Sequence, residues 1–169
     1  IKKSKKKDLV LIFFEHPTTL VGCFTKNGFA AAPVKISKDR IKNFFTPAMA
    51  AFIINSGCAN AGTGTQGQKD CEEVIGCIGR DLNMSIENIF PFSTGPIMQR
   101  LPVEKIKRKS KSLIANLGKS DWLDAASAIM TTDTVAKGYS KEVMLQNKKI
   151  TITGIAKGSG MICPNMATM

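Results

Sequence analysis

The run from Ala50 to Asn55, Ala-Ala-Phe-Ile-Ile-Asn, is unbroken by any charge. A strand with one wet face alternates apolar and polar side chains, so a continuous apolar run marks a strand covered on both faces. It opens into Asn55-Ser-Gly-Cys-Ala-Asn60-Ala-Gly-Thr-Gly-Thr-Gln-Gly67, a loop of small residues and side-chain amides. Its glycines permit positive φ, and its asparagines can bond either backbone or a ligand. The loop therefore reads equally as a strand-to-helix connection or as the lining of a site. From Gln68 to Leu82, Cys71, Val74, Ile75, Ile78 and Leu82 recur at helical spacing, and Asp70, Glu72 and Glu73 suit the positive end of the helix dipole. Asn88 to Ser93 is the next expected strand.

Elsewhere the signals are more local. Asp8 to Phe14 and Thr19 to Thr25 read as β-rich runs joined by a turn at Glu15-His16-Pro17-Thr18. Ala32 to Ile36 reads as a short strand, and Ser37 as the N-cap of a helix through Lys38 to Phe44. Pro102 suits the first position of a helix that aligns Ile106, Leu113, Ile114 and Leu117 on one face, ending at Gly118. Ser120-Asp121 opens another, with Trp122, Ala125, Ala126 and Ile129 at i, i+3, i+4 and i+7. Glu142 to Leu145 and Lys149 to Gly154 read as a hairpin about Gln146-Asn147-Lys148.

With 169 residues the length is that of a single domain spanning 1–169. Hydrophobic residues at 43% and charged residues at 22% give ordinary globular composition. Apolar runs such as Leu9 to Phe14 have the length of a strand and fall far short of a bilayer span, so no membrane association is expected. The net charge of +11 comes largely from Lys2–Lys7 and Lys105–Lys111. No aromatics interleave with these charges as a base-stacking surface requires, which favours solvated faces over nucleic-acid binding. The five cysteines are odd in number and lack CxxC spacing, with His16 the one histidine. A disulfide framework and a metal site are thus both disfavoured, and reduced thiols in a cytoplasmic setting fit best.

That single histidine also leaves little support for a Ser-His-Asp or Cys-His site. Neither a P-loop nor a GxGxxG is present. Ser93-Thr94-Gly95-Pro96 ends a strand with a hydroxyl and a backbone N–H side by side, a pair able to stabilise an oxyanion. The closing stretch, Lys157-Gly-Ser-Gly-Met-Ile-Cys-Pro-Asn-Met-Ala-Thr168-Met169, holds a threonine flanked by small residues. A threonine can act without histidine once it becomes the first residue of a chain. Its α-amine, with a pKa of about 7.7 to 8.0, then serves as its own general base. Such chemistry calls for a cut between Ala167 and Thr168; a flexible loop that happens to hold a threonine is the plain alternative.

The closing stretch resembles the processing and nucleophile motif of the ornithine acetyltransferase (glutamate N-acetyltransferase) family. Ser93-Thr94-Gly95 resembles that family's oxyanion segment, Ala128-Ile-Met-Thr-Thr-Asp-Thr134 its substrate-contact segment, and Asn55-Ser-Gly-Cys-Ala-Asn60-Ala its Asn-rich loop. These motifs occur in the family's order and cover almost the whole chain. Two departures are Pro96, where an aliphatic residue is usual, and the family's usual leader, which is not among these residues. The resemblance implies an α/β fold of mixed sheets packed with helices, of the N-terminal-nucleophile acetyltransferase or aminopeptidase type, completed by a separate β chain. It implies that Thr168 is both the autoproteolytic residue and the nucleophile, with Thr94 and Gly95 stabilising the oxyanion. Thr131 and Lys157 would bind the amino-acid substrate, with Thr132 in reserve should the match slip by one residue. The implied reaction moves acetyl from N-acetylornithine to glutamate in arginine biosynthesis, without a cofactor, and some members also accept acetyl-CoA. The implied partner is the chain's own C-terminal β portion, in an α2β2 assembly. A related aminopeptidase, with water in place of glutamate, is the alternative.

Overall fold

The structure is a computed structural model and describes residues 6–160. Its centre is a three-stranded sheet in the order β1 (Leu9–Thr18), β2 (Ala48–Ser56), β3 (Ile89–Thr94). β1 runs antiparallel to β2, with Leu11 opposite Ile53, and β3 runs parallel to β2, with Ile53 opposite Pro91. The central position of β2 explains its sequence: Ala51 and Ile53 face one layer of the core while Ile54 faces the other. A parallel neighbour needs a crossover, which α2 (Gly64–Leu82) supplies. Its Cys71, Val74, Ile75 and Ile78 pack with Leu11, Ile36, Ala51, Ile53 and Ile89 in the main core.

The opposite face of the sheet carries a smaller cluster. Val10, with Ile12 and Ile54, meets Ala125, Ala128 and Ile129 of α5 (Trp122–Ala128) and the turn after it, together with Ile155. Asp121 caps α5 by accepting the Asp124 N–H at 2.8 Å, as the Ser120-Asp121 signal predicts. Ile155 belongs to a separate two-stranded ribbon, β4 (Lys137–Leu145) and β5 (Lys148–Ala156). Its turn residues Gln146 and Asn147 both have positive φ, 47° and 59°, the signature of the tight hairpin turn that matches strand twist.

Several local expectations are corrected. The anticipated turn at 15–18 is the continuation of β1, whose register shifts between Phe14 and Thr18. Pro17 is tolerated there because β1 lies at the sheet edge, where a missing N–H breaks no ladder. The β-rich run from Thr19 to Thr25 forms no strand, and Val21 in it is 91% exposed. The stretch from Ala32 is helical: α1 runs Ala32–Lys42, with Pro33 in its first turn, where a missing N–H costs nothing. Ser37 therefore caps nothing. It is buried mid-helix, and its hydroxyl donates to the Pro91 carbonyl at 3.0 Å, fastening α1 to β3. The basic segment after Pro102 breaks into α3 (Val103–Lys107) and α4 (Ser110–Ile114), with Pro102 at the N-cap position. Within it Lys107 bonds Glu73 at 2.7 Å and Glu104 at 2.9 Å, so part of that charge is spent within the chain.

The core makes one sharp stability prediction. Ile75 is fully buried between α2 and the sheet. Ile75→Ala should cost roughly 2–5 kcal/mol through lost transfer energy and a residual cavity. A urea midpoint shift at unchanged m-value checks it.

Candidate active site

Three chain segments from distant parts of the sequence converge at the C-terminal ends of β2 and β3. The first is the turn that follows β3. Thr94 ends β3, and its carbonyl accepts the N–H groups of Gly57 at 2.7 Å and Cys58 at 3.1 Å. Gly95 follows with φ +141°, and a Cβ there would lie 2.5 Å from the Cys58 nitrogen. Only glycine fits so close to another backbone. Pro96 leaves this arrangement in place, and its carbonyl accepts the Ala59 N–H at 3.0 Å.

The loop after β2 is a connection whose amides are turned inward. Asn55 donates to the Cys58 carbonyl at 2.8 Å and accepts from the Ser93 hydroxyl at 2.6 Å. Asn60, fully buried, donates to the Gly67 carbonyl at 2.9 Å and accepts from Thr63 at 2.9 Å. Asn55 and Asn60 thus tie the loop after β2 to the end of β3 and to the start of α2. The segment following the turn is secured from α2 as well. Arg100 meets the buried Asp70 with two bonds, at 3.0 and 2.7 Å. The Arg100 guanidinium, helped by Gln66, holds the Asp70 carboxyl below its ordinary pKa against the opposing effect of burial.

The second and third segments are the loop after α5 and the exit from β5. Lys157, just past Ala156, places its Nζ 3.1 Å from Thr94 Oγ1. Thr131 and Thr132 lie on the α5 loop, and Thr132 Oγ1 is 2.9 Å from Ser159 Oγ. Asp133 links the two segments. Its side chain is 0% exposed and receives the Lys137 ammonium at 2.6 Å. It also accepts the N–H of Gly158 at 2.6 Å and that of Thr131 at 3.2 Å. Thr94, Lys157 and the Thr131 loop are thus brought into one corner; Ala167 and Thr168 lie outside the described residues. His16 sits exposed on β1. Among the described residues no cluster of three or more His, Cys, Asp or Glu could hold a metal, and no helix is long and apolar enough to cross a membrane.

Asp133 is the residue that sequence patterning undervalues. In Thr131-Thr-Asp-Thr134 it reads as one of four polar residues solvating a helix end, yet it is the most enclosed of them. The available signal was Lys137 four positions on, placing an ammonium within reach. That ammonium, then the Gly158 and Thr131 N–H groups, hold the Asp133 carboxyl well below the usual carboxylate range, although burial acts the other way. Because the folded pKa is depressed, the stability this group contributes is fully present above the unfolded value of about 3.9 and is lost as pH falls below it. Asp133→Asn should therefore lower stability at neutral pH by about 1–3 kcal/mol and flatten the acid limb between roughly pH 4 and pH 2. Chemical denaturation of both proteins across that window measures the difference.

The mixed α/β arrangement, of N-terminal-nucleophile type, is shared with solved structures. One is the crystal structure of arginine biosynthesis bifunctional protein ArgJ from Bacillus halodurans, with a TM-score of 0.82 and 32% identity, covering 95% of this chain and 83% of that one. Another is ornithine acetyltransferase of Mycobacterium tuberculosis complexed with ornithine, with a TM-score of 0.81 and 32% identity, covering 92% of this chain and 82% of that one. The ArgJ family's sequence model matches residues 1–169. The arginine biosynthesis bifunctional protein ArgJ of Colwellia psychrerythraea is 42% identical across the whole chain. The chain belongs to the ArgJ family. It spans 42% of the length of that Colwellia relative.

Proposed function

We propose that this chain is the N-terminal (α) portion of an autoprocessed glutamate N-acetyltransferase of arginine biosynthesis, with residues 1–169 forming one domain up to the processing site. The observation that carries the reading is the contact of Lys157 Nζ with Thr94 Oγ1 at 3.1 Å, which joins an anion-binding ammonium to the oxyanion turn. The name of the Mycobacterium relative, an acetyltransferase holding ornithine, supports the substrate class.

In the maturation step Thr168 Oγ attacks the Ala167 carbonyl, the peptide C–N bond breaks, and an ester forms. Water then opens the ester, leaving the Ala167 carboxylate and a free Thr168 amine and hydroxyl. In the transfer step Thr168 Oγ attacks the acetyl carbonyl of N-acetylornithine. Its proton passes to the Thr168 α-amine and on to the departing ornithine amine as the amide bond breaks. The glutamate amine then attacks the acetyl ester, regenerating the hydroxyl. In both steps the Thr94 hydroxyl and Gly95 N–H face the developing oxyanion. Lys157 and Thr131 hold the substrate, the ammonium being matched to its carboxylate.

No cofactor takes part in this scheme, in which acetyl-CoA is a second donor. The partner is the C-terminal β chain, in a cytoplasmic α2β2 assembly, and the α portion alone is inactive. The full-length protein tests the reading directly. Its intact mass should resolve into two fragments split at Ala167-Thr168. Initial rates with N-acetylornithine and glutamate should give the parallel double-reciprocal lines of a ping-pong reaction. Ornithine release that proceeds without acetylating glutamate would assign the aminopeptidase reaction instead.

A further inference from the structure

Lys157 reaches Thr94 from a corner that packing alone does not hold. Gly158 turns the chain there with φ +138°, and a Cβ built on it or on Gly160 would meet nothing within 4 Å. Among the described residues nothing packs against the turn closely enough to fix its position by steric contact. What meets the corner is Asp133, which takes the Gly158 N–H at 2.6 Å, with a lesser tie between Ser159 and Thr132 at 2.9 Å. Asp133 is itself immobilised by Lys137 at 2.6 Å and by the Thr131 N–H at 3.2 Å. A fully enclosed carboxylate with three donors of its own is a rigid post.

The chemistry at the other end of the link is equally specific. A lysine ammonium has donors only, so Thr94 Oγ1 must accept from it. The Thr94 hydroxyl proton is then directed away from Lys157, and remains available to another acceptor. Without that ammonium the hydroxyl can rotate, and its proton points nowhere in particular.

We propose that Asp133 is a positioning residue of the oxyanion site: by anchoring the Gly158 N–H it holds the Lys157 ammonium on Thr94 Oγ1, and so orients the Thr94 hydroxyl toward the oxyanion. This rests on the acetyl-transfer reading above for its consequence in catalysis, and on geometry alone for its structural part. Asp133 touches no substrate in this scheme. Thr131 is fixed by the same carboxylate, so the two substrate-facing segments share one anchor.

The experiment is a double-mutant cycle on the full-length protein, combining Asp133→Asn with Lys157→Met. Displacement of the ammonium by about 1 Å should lower kcat/KM on the order of 10²-fold in Asp133→Asn. In the Lys157→Met background the same change should cost at least about tenfold less, because the ammonium it positions is already gone and only its effect through Thr131 remains. Losses that simply multiply would overturn the proposal, since a merely structural carboxylate acts regardless of Lys157. Asp133→Glu serves as the second variant should the amide fold poorly: it keeps the charge for Lys137 but its extra methylene displaces Gly158, and it should show the same dependence on Lys157. A crystal structure of either variant gives a readout independent of activity. Lys157 Nζ beyond about 3.6 Å from Thr94 Oγ1 is expected, and an unchanged contact would overturn the proposal. A wild-type protein without acetyl transfer would remove the functional reading instead, and that distance would still decide the anchoring role.

Discussion

Thr168→Ala leaves the full-length protein as a single uncut polypeptide, with acetyl transfer reduced to background. The expectation follows from the economy of the proposed chemistry, in which one oxygen performs both tasks. Alanine removes the atom that attacks the Ala167 carbonyl and, with it, the atom that would later carry acetyl. The effect is therefore a loss of both steps, of the order of 10⁴-fold or more in rate, as for removal of other catalytic nucleophiles. Thr168→Ser separates chemistry from packing, since serine retains the hydroxyl and should still be cut. Intact-mass analysis and a quenched search for an acetylated Thr168 peptide give the two readouts. Cleavage of Thr168→Ala between residues 167 and 168 would sink the nucleophile assignment, whatever the transfer rate.

Gly95→Ala should be strongly damaging for the addition of a single methyl group. The new Cβ would lie 2.5 Å from the Cys58 nitrogen and 2.6 Å from the Gly57 carbonyl carbon, at a φ of +141° that side chains avoid. Neither neighbour can yield cheaply, because the Gly57 and Cys58 N–H groups both hold the Thr94 carbonyl. The strain should cost roughly 2–4 kcal/mol, combining an unfavourable φ with a backbone clash. Whatever protein still folds should lose on the order of 10²-fold in kcat as the turn's donors move off target. Gly76→Ala is the control. It sits in α2 with nothing within 4 Å of the added carbon, and should be neutral or stabilising by up to about 1 kcal/mol. A Gly95→Ala protein as stable and active as Gly76→Ala would mean that the clash at Gly95 is relieved by some movement the packing does not suggest.

The contrast between β2 and the stretch from Thr19 to Thr25 explains what could be read from residues alone. An unbroken apolar run such as Ala50 to Ile54 has few folded environments open to it. The β-rich residues after Pro17 have β propensity but no partner strand, and pairing is a property of the whole sheet. At α1 the residues Val34 and Ile36 imitate strand alternation, while Pro33 carried the correct signal for a helix start. Ser37 looked like a cap because hydroxyls commonly cap; its actual acceptor, Pro91, lies 54 residues away. The site divides the same way. Thr94 and Gly95 are legible as a hydroxyl and an N–H at a strand end, Thr131 and Lys157 only through motif resemblance, and the fold gathers their segments into one corner. The role of Asp133 depends on an approach between segments 25 residues apart, which no local pattern encodes.

The tight turn at Gln146-Asn147 has a bearing on when, rather than where, the chemistry can begin. A ribbon closed by two residues forms within about 1–10 μs, long before a parallel pairing that must wait for a helical crossover. Lys157 is carried on the fast element, whereas Thr94 ends the slow one, 63 residues earlier in the chain. Their meeting is thus expected among the last contacts made during folding, an order that pulsed hydrogen exchange would read. On the proposed chemistry, a half-folded molecule has the nucleophile but not the corner, and the chain stays whole until its sheet is complete.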